Sequence, residues 1–180
     1  MTISGGTISG NSVGSDGGSG GIYYTGGKTL SICGTAVISG NHSVYEGGGI
    51  RNSSGLLAMS GGTISGNYSE IAGRSGGGIA AIGSGYITIS DSAYIPSGAT
   101  INGTFKTGLG CNDVLQNWGS ITVVGAITPS AACSNGIVAN ITPRNYVNGN
   151  QLLLLADTVT TTTLAAEVGK FRVSDNDTTD

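Results

Sequence analysis

The apolar positions of this chain fall in short alternating runs that recur. Leu30-Ser31-Ile32, Leu57-Ala58-Met59 and Ile87-Thr88-Ile89 each put two apolar side chains on one side of the backbone and a small residue on the other. That is the period-2 signature of a strand. A second series, Thr7-Ile8-Ser9, Val37-Ile38-Ser39 and Thr63-Ile64-Ser65, centres one isoleucine in each run and continues into Gly-Asn at Asn11, Asn41 and Asn67. A third ends glycine runs on isoleucine: Gly20-Gly21-Ile22, Gly48-Gly49-Ile50 and Gly77-Gly78-Ile79. The asparagines are 30 and 26 residues apart and the isoleucines 28 and 29. Three independent columns therefore agree on a period of roughly 28 residues, the mark of a repeat architecture.

No consistent two-residue hairpin turn joins these pieces. Three short strands per repeat, held in register, predict a right-handed parallel β-helix, an all-β solenoid in which each strand stacks on its copy about 4.8 Å away. The inward columns are then Ile22/Ile50/Ile79, Leu30/Leu57/Ile87, Ile3/Ile32/Met59/Ile89 and Ile8/Ile38/Ile64/Ile95. Gly10, Gly40 and Gly66 precede the asparagines and permit positive φ. Such a bend turns the amides of Asn11, Asn41 and Asn67 inward as a ladder in which each donates to and accepts from its neighbours. The alternative is a solvent-exposed turn asparagine.

Composition sharpens this picture. Residues 1–98 hold 26 of the 34 glycines, so organisation changes near residue 98. The reading is regular coils over 1–98 and irregular β coils over 99–180 that cover the C-terminal end, or a small separate β domain. Strand-like runs in the second part are 99–105, 120–124, 137–141, 151–155 and 171–173, and 163–169 reads as one helical turn ending at Gly169. Leu152 to Leu155 lack alternation, which predicts burial on both faces. In the fourth repeat Gly98 stands where the asparagine would fall. Seven basic residues and a net charge of −3 disfavour nucleic acid, and no apolar run approaches the roughly 20 residues of a membrane helix. No leader segment is visible, and Met1 enters in mid-repeat, as expected of a piece of a longer protein or a mature chain.

Ile8-Ser-Gly-Asn11, Ile38-Ser-Gly-Asn41 and Ile64-Ser-Gly-Asn67 resemble the apolar-x-x-Asn motif of polymorphic outer-membrane proteins, and the Gly-Gly-Ile strings resemble that family's Gly-Gly-Ala-Ile motif. The likeness covers residues 1 to about 98. It departs where the family's Phe is Ile and its Ala is Gly, and no membrane-barrel segment accompanies it. It implies a secreted or cell-surface passenger of bacterial type, often an adhesin, with a surface glycan or protein as ligand.

Chemistry-bearing residues are few. His42 is the sole histidine and lies in the variable turn after Asn41, with no fixed companion in the sequence. The same turn carries Asp16, Glu46 and Glu70, whose offsets from the following isoleucine differ, so a glycosidase pair or cation site is not expected. Arg51 and Arg74 share no column. No metal-spaced His/Cys cluster, phosphate loop or cofactor motif is present. The glycosylation-type triplets at Asn41, Asn52, Asn67, Asn102, Asn140 and Asn176 read as chance in a chain rich in these residues. The outward column Thr7, Val37, Thr63, Tyr94 is too uneven for an ice-binding face. Cys111 and Cys133 are 22 apart, near one coil, and are candidates to pair, while Cys33 takes a small-residue corner. The function read from the sequence is a non-catalytic structural or adhesive solenoid. A self-assembling fibre subunit joined through open coil ends and a polysaccharide-active enzyme are the alternatives.

Overall fold

A computed structural model of the chain describes residues 1–14, 17–70, 76–101, 104–106, 111–117, 120–143, 152–160 and 162–173. It is an all-β parallel solenoid of about five turns. The first coil carries β1 (Thr2–Ile3), β2 (Thr7–Ser9), β3 (Ser12–Val13) and β4 (Ile22–Tyr24). The second carries β5 (Thr29–Ile32), β6 (Val37–Ser39) and β7 (His42–Ser43), and runs into the long β8 (Ile50–Met59). Next come β9 (Thr63–Ser65), β10 (Tyr68–Ser69) and β11 (Ile79–Asp91). A hairpin of β12 (Ala99–Ile101) and β13 (Thr104–Lys106) interrupts the fourth coil. The stack then resumes with β14 (Val114–Gln116), β15 (Ile121–Ile127), β16 (Ala139–Pro143), β17 (Leu153–Leu155), the short helix α1 (Leu164–Val168) and β18 (Phe171–Val173).

Every described strand pairing outside the hairpin is parallel and links a residue to its copy one coil on. Ile22, Ile50, Ile79, Val114 and Ile141 are successive register partners. Ile3, Ile32, Met59, Ile89, Val123 and Leu155 form a second column. Leu30, Leu57 and Ile87 form a third, which Ile121 and Leu153 extend. Ile8, Ile38 and Ile64 form the fourth, continued by Ile95, Ala139 and Phe171. Between the terminal coils these side chains are almost wholly buried. Each contributes about 1.5–3 kcal/mol relative to an exposed position. Ile3 and Ile8 are only half-buried, because β1 and β2 each have a strand on one side only.

The columns cross residue 98 without a break, since β11 pairs with β8 on one side and with β14 and β15 on the other. Three expectations for the second half need correction. The run from Ala99 folds back as an antiparallel hairpin instead of continuing the coil. Leu154 is 39 % exposed between buried Leu153 and half-buried Leu155, so the leucine run alternates after all. It stacks only on β15, which leaves its outer face to solvent. Cys111 and Cys133 are both free thiols. The hairpin lies between Cys111 and the coil before it, so sequence distance no longer measures coil distance. Cys111 directly precedes the amide column, whereas Cys133 sits in the 130–136 turn beside Tyr94, whose hydroxyl donates to the Ala132 carbonyl (2.9 Å).

The C-terminal end is held by a polar latch. Thr163 caps α1, its Oγ1 accepting from Ala166 N, and Gly169 closes the helix. The Glu167 side chain is 1 % exposed. Its carboxylate accepts from Lys170 Nζ (2.8 Å), Thr162 Oγ1 (2.7 Å) and Ile127 N (3.2 Å), while Lys170 Nζ also donates to the Ile127 carbonyl (2.7 Å). Burial by itself raises this carboxyl, but the hydrogen bonds from Lys170, Thr162 and Ile127, with the charge of Lys170, outweigh it and hold the group below its ordinary range.

Candidate functional site

The most ordered polar feature of the molecule is its amide column. Gly10, Gly40 and Gly66 have φ of +67°, +62° and +63°, a left-handed bend that carries each following asparagine toward the interior. Asn41 and Asn67 are completely buried. Asn11 Nδ2 donates to Asn41 Oδ1 (2.9 Å), Asn41 Nδ2 to Asn67 Oδ1 (3.0 Å), and Asn67 Nδ2 to Asn112 Oδ1 (3.0 Å). Backbone amides double each rung: Asn11 N donates to Asn41 Oδ1 (3.0 Å) and Asn41 N to Asn67 Oδ1 (2.9 Å). The second proton of each buried amide goes to a carbonyl of the coil before it, Asn41 to Ile8 and Asn67 to Ile38 (both 3.0 Å).

The glycine before each core isoleucine belongs to the same device. A Cβ on Gly21 would stand 3.1 Å from Asn41 Nδ2, one on Gly49 2.9 Å from Asn67 Nδ2, and one on Gly78 2.9 Å from Asn112 Oδ1. Only a residue without a side chain leaves room for the amide, so the two sequence motifs are two halves of one packing arrangement. Asn112 is a rung that sequence reasoning missed. It follows the hairpin and fills the slot assigned to Gly98, donating to the carbonyls of Ile64 (2.8 Å) and Pro96. The Asn112-Asp113 pair directly before apolar Val114-Leu115 was the available signal, a shortened form of the asparagine-to-isoleucine spacing.

The column ends at Asn112, and the buried Asp113 that follows it bonds elsewhere. Its Oδ1 accepts from Gly76 N (2.7 Å) and Gly77 N (3.0 Å), and its Oδ2 from Thr142 Oγ1 (2.6 Å). In the last coil the turn that would carry a further amide is gone. Ala139 continues the Ile64/Ile95 column and Ile141, two residues later, already continues the Ile50/Ile79 column.

Of the chemistry-bearing side chains, the structure gathers four on one outer strip: Ser12, His42, Tyr68 and Glu70. Ser12, His42 and Tyr68 are register partners in β3, β7 and β10. Ser12 Oγ lies 2.9 Å from His42 Nδ1, and a Glu70 carboxylate oxygen lies 2.9 Å from His42 Nε2, at ion-pair distance but not aligned as a hydrogen bond. The Tyr68 ring stacks on the imidazole at 4.3 Å. His42 thus has companions that its turn position did not reveal: stacking, not sequence proximity, supplies them. Glu46 is buried while Glu70 is exposed, so these two acids do not share an environment. Asp16, Arg74, Asn102 and Asn176 lie outside the described residues. Arg51 lies over the Tyr23 ring, 5.5 Å from its centroid, in the neighbouring coil. Asn41, Asn52 and Asn67 are fully buried, which closes them to glycosylation in the folded chain.

Among the described residues no three His, Cys, Asp or Glu side chains gather as a metal site, and no helix is long and apolar enough to cross a membrane. The β-solenoid is thus established from the structure itself, while the likeness to outer-membrane passenger repeats rests on the Asn and Gly-Gly-Ile motifs alone. Comparison with protein-family models, with curated proteins and with solved structures finds no match for this chain.

Proposed function

We propose that this chain is a rigid, non-catalytic β-solenoid module of a secreted or cell-surface protein, with a structural and adhesive role. The observation that carries the reading is the continuous amide column, in which the buried asparagine side chains are bonded to the coils on both sides. Such a column fixes coil spacing and register, which serves length and stiffness. Thr, Ser and Tyr recur at the outward positions of the sheets and charges are few, a surface suited to many weak polar contacts. Tyr23 and Tyr86 stand 50 % and 63 % exposed on it, the kind of aromatic that anchors recognition.

A hydrolytic reading is favoured by the Ser12–His42–Glu70 line, which has the order of a nucleophile, a base and an orienting acid. A fibre-subunit reading is favoured by β1, β2 and β3, each paired on one side only, since unpaired strand edges invite another strand. One set of experiments separates them. The purified chain is applied to arrayed glycans and matrix proteins, tested on ester and acidic polysaccharide substrates, and sized by sedimentation. The adhesive reading expects a bound partner, no turnover and no concentration-dependent growth. Turnover that disappears in Ser12→Ala or His42→Gln would replace it with the hydrolase. Filaments without an array partner would replace it with the fibre subunit.

A further inference from the structure

A cleft of about 240 Å³ opens on the outer surface where the fourth, fifth and last coils meet. Its position follows from register. Ile95 bridges Ala139, and Ala139 pairs with Phe171, so the next residues along, Pro96, Asn140 and Arg172, form one column across three coils. Tyr94 and Ser97 line it from the fourth coil, and Ser134 from the turn before β16.

The lining is chemically mixed in a particular way. Arg172 lines the cleft, is exposed and has no ion pair among the described residues, so its charged, planar donor fork is open to a ligand. Asn140, its register partner, adds an amide that both donates and accepts. Ser97 and Ser134 supply hydroxyls. Tyr94 spends its proton on the Ala132 carbonyl, which leaves its oxygen as an acceptor and its ring as an apolar wall. Burial, and next the nearby Cys133, push this phenol above its ordinary range, so at neutral pH it stays uncharged and does not repel an anion. One guanidinium with no ion pair among the described residues, set among neutral donors, acceptors and an aromatic wall, matches a ligand with one carboxylate, several hydroxyls and an apolar ring face.

We propose that this cleft binds an acidic sugar, a hexuronate unit of a surface glycan, with Arg172 and Asn140 on the carboxylate and Tyr94 against the ring. The inference rests on the adhesive reading and gives it a ligand class. A bidentate guanidinium–carboxylate contact sets orientation as well as affinity. A phosphate would use Arg172 but leave the Tyr94 wall and the hydroxyls without a role. A peptide C-terminus offers the carboxylate without the polyol.

The test is titration calorimetry and ligand-observed NMR with glucuronic acid, glucose and an acetylated dipeptide. The proteins are the wild-type chain, Arg172→Met, Arg172→Lys and, as a remote control, Lys28→Met. The expectation is glucuronate binding with Kd of about 1 mM, the range open to a ligand of about 13 heavy atoms at ordinary efficiency. Glucose should bind at least about tenfold more weakly. Arg172→Met should lose about tenfold or more, the usual worth of a charged hydrogen bond, and Arg172→Lys should recover part of it. Lys28→Met should bind like wild type. Retained near-ultraviolet dichroism shows that a variant is folded, and if Arg172→Met fails that check, Arg172→Lys together with the glucose comparison decides. Equal binding of glucose, equal binding by Arg172→Met, tighter binding of the dipeptide, or no glucuronate binding would each overturn the proposal. The adhesive reading survives these failures if an array partner is still captured, and falls separately if none is.

Discussion

Residues 1–98 repeat and residues 99–173 do not, yet both extend the same four aliphatic columns. The difference lies in how each half satisfies its buried polar groups. In the first half the main solution is the next copy: Asn41 bonds Asn67 as Asn11 bonds Asn41, and one glycine column makes room for the buried rungs. In the second half each buried polar group has its own solution. Asp113 takes two backbone amides and the Thr142 hydroxyl, and Glu167 takes Lys170, Thr162 and Ile127. Apolar contacts tolerate changes of side chain along a column, as in Ile79 to Val114. Hydrogen bonds do not, because an unpaired buried donor or acceptor costs about 1–3 kcal/mol.

That contrast can be broken most severely at a glycine. Gly49→Ala should destabilise the chain by about 3 kcal/mol or more, since its Cβ meets the Gly78 carbonyl and the Asn67 amide. Gly169→Ala, in open space at the end of α1, should change stability by less than about 0.5 kcal/mol. Denaturant melts giving similar losses for both would remove the steric part of the argument. Next in size is the Glu167 latch. Glu167→Ala removes the shared acceptor of Lys170, Thr162 and Ile127 N and should cost about 3 kcal/mol, mainly in the C-terminal coils. Because the folded carboxyl lies below its unfolded value of about 4.3, its stabilisation is present above that pH and is lost as pH falls through the folded value. Hydrogen exchange in acid should therefore release α1 and β18 while the amide column, which does not titrate, stays protected. Uniform loss of protection would show that the halves are not held differently. The smallest effects compare rungs. Asn41→Ala should cost roughly 1–3 kcal/mol and Asn11→Ala, at the exposed end, under about 0.5 kcal/mol. An Asn41→Ala loss as small as that of Asn11→Ala would deny the buried rung its stabilising role.

The same contrast decides what could be read from the chain. A column repeated three times, such as Ile22, Ile50 and Ile79, is visible as spacing, and the glycine before each asparagine signals its bend. Thr163 and Gly169 bracket the helix at both ends. Groups used once leave no spacing to detect. Asn112 was hidden because the hairpin separates it from its coil, and Gly98 occupied the expected place. The Ser12–His42–Glu70 strip was hidden for another reason: Ser12 and His42 take the same place after their asparagines, but Glu70 stands two residues past the matching Tyr68, and only strand stacking brings its carboxylate to the imidazole. Asn140 and Arg172 are neighbours only because β16 stacks on β18, a pairing used once that no repeated spacing records.

The hexapeptide Gly-Thr-Ile-Ser-Gly-Asn occurs identically at Gly6–Asn11 and Gly62–Asn67, two coils apart. Each rung offers its neighbours what it receives, donating on one side and accepting on the other. Unequal recombination between two such stretches of coding sequence would add or remove whole coils, and every new junction would find its bonding partners already in place. The single-use cluster of Asn112, Asp113 and Thr142 has no such property. Copying errors alone could therefore lengthen or shorten the molecule on one side of that cluster without orphaning a buried amide, an exchange that the segment beyond it, where each buried group has its own partner, does not offer.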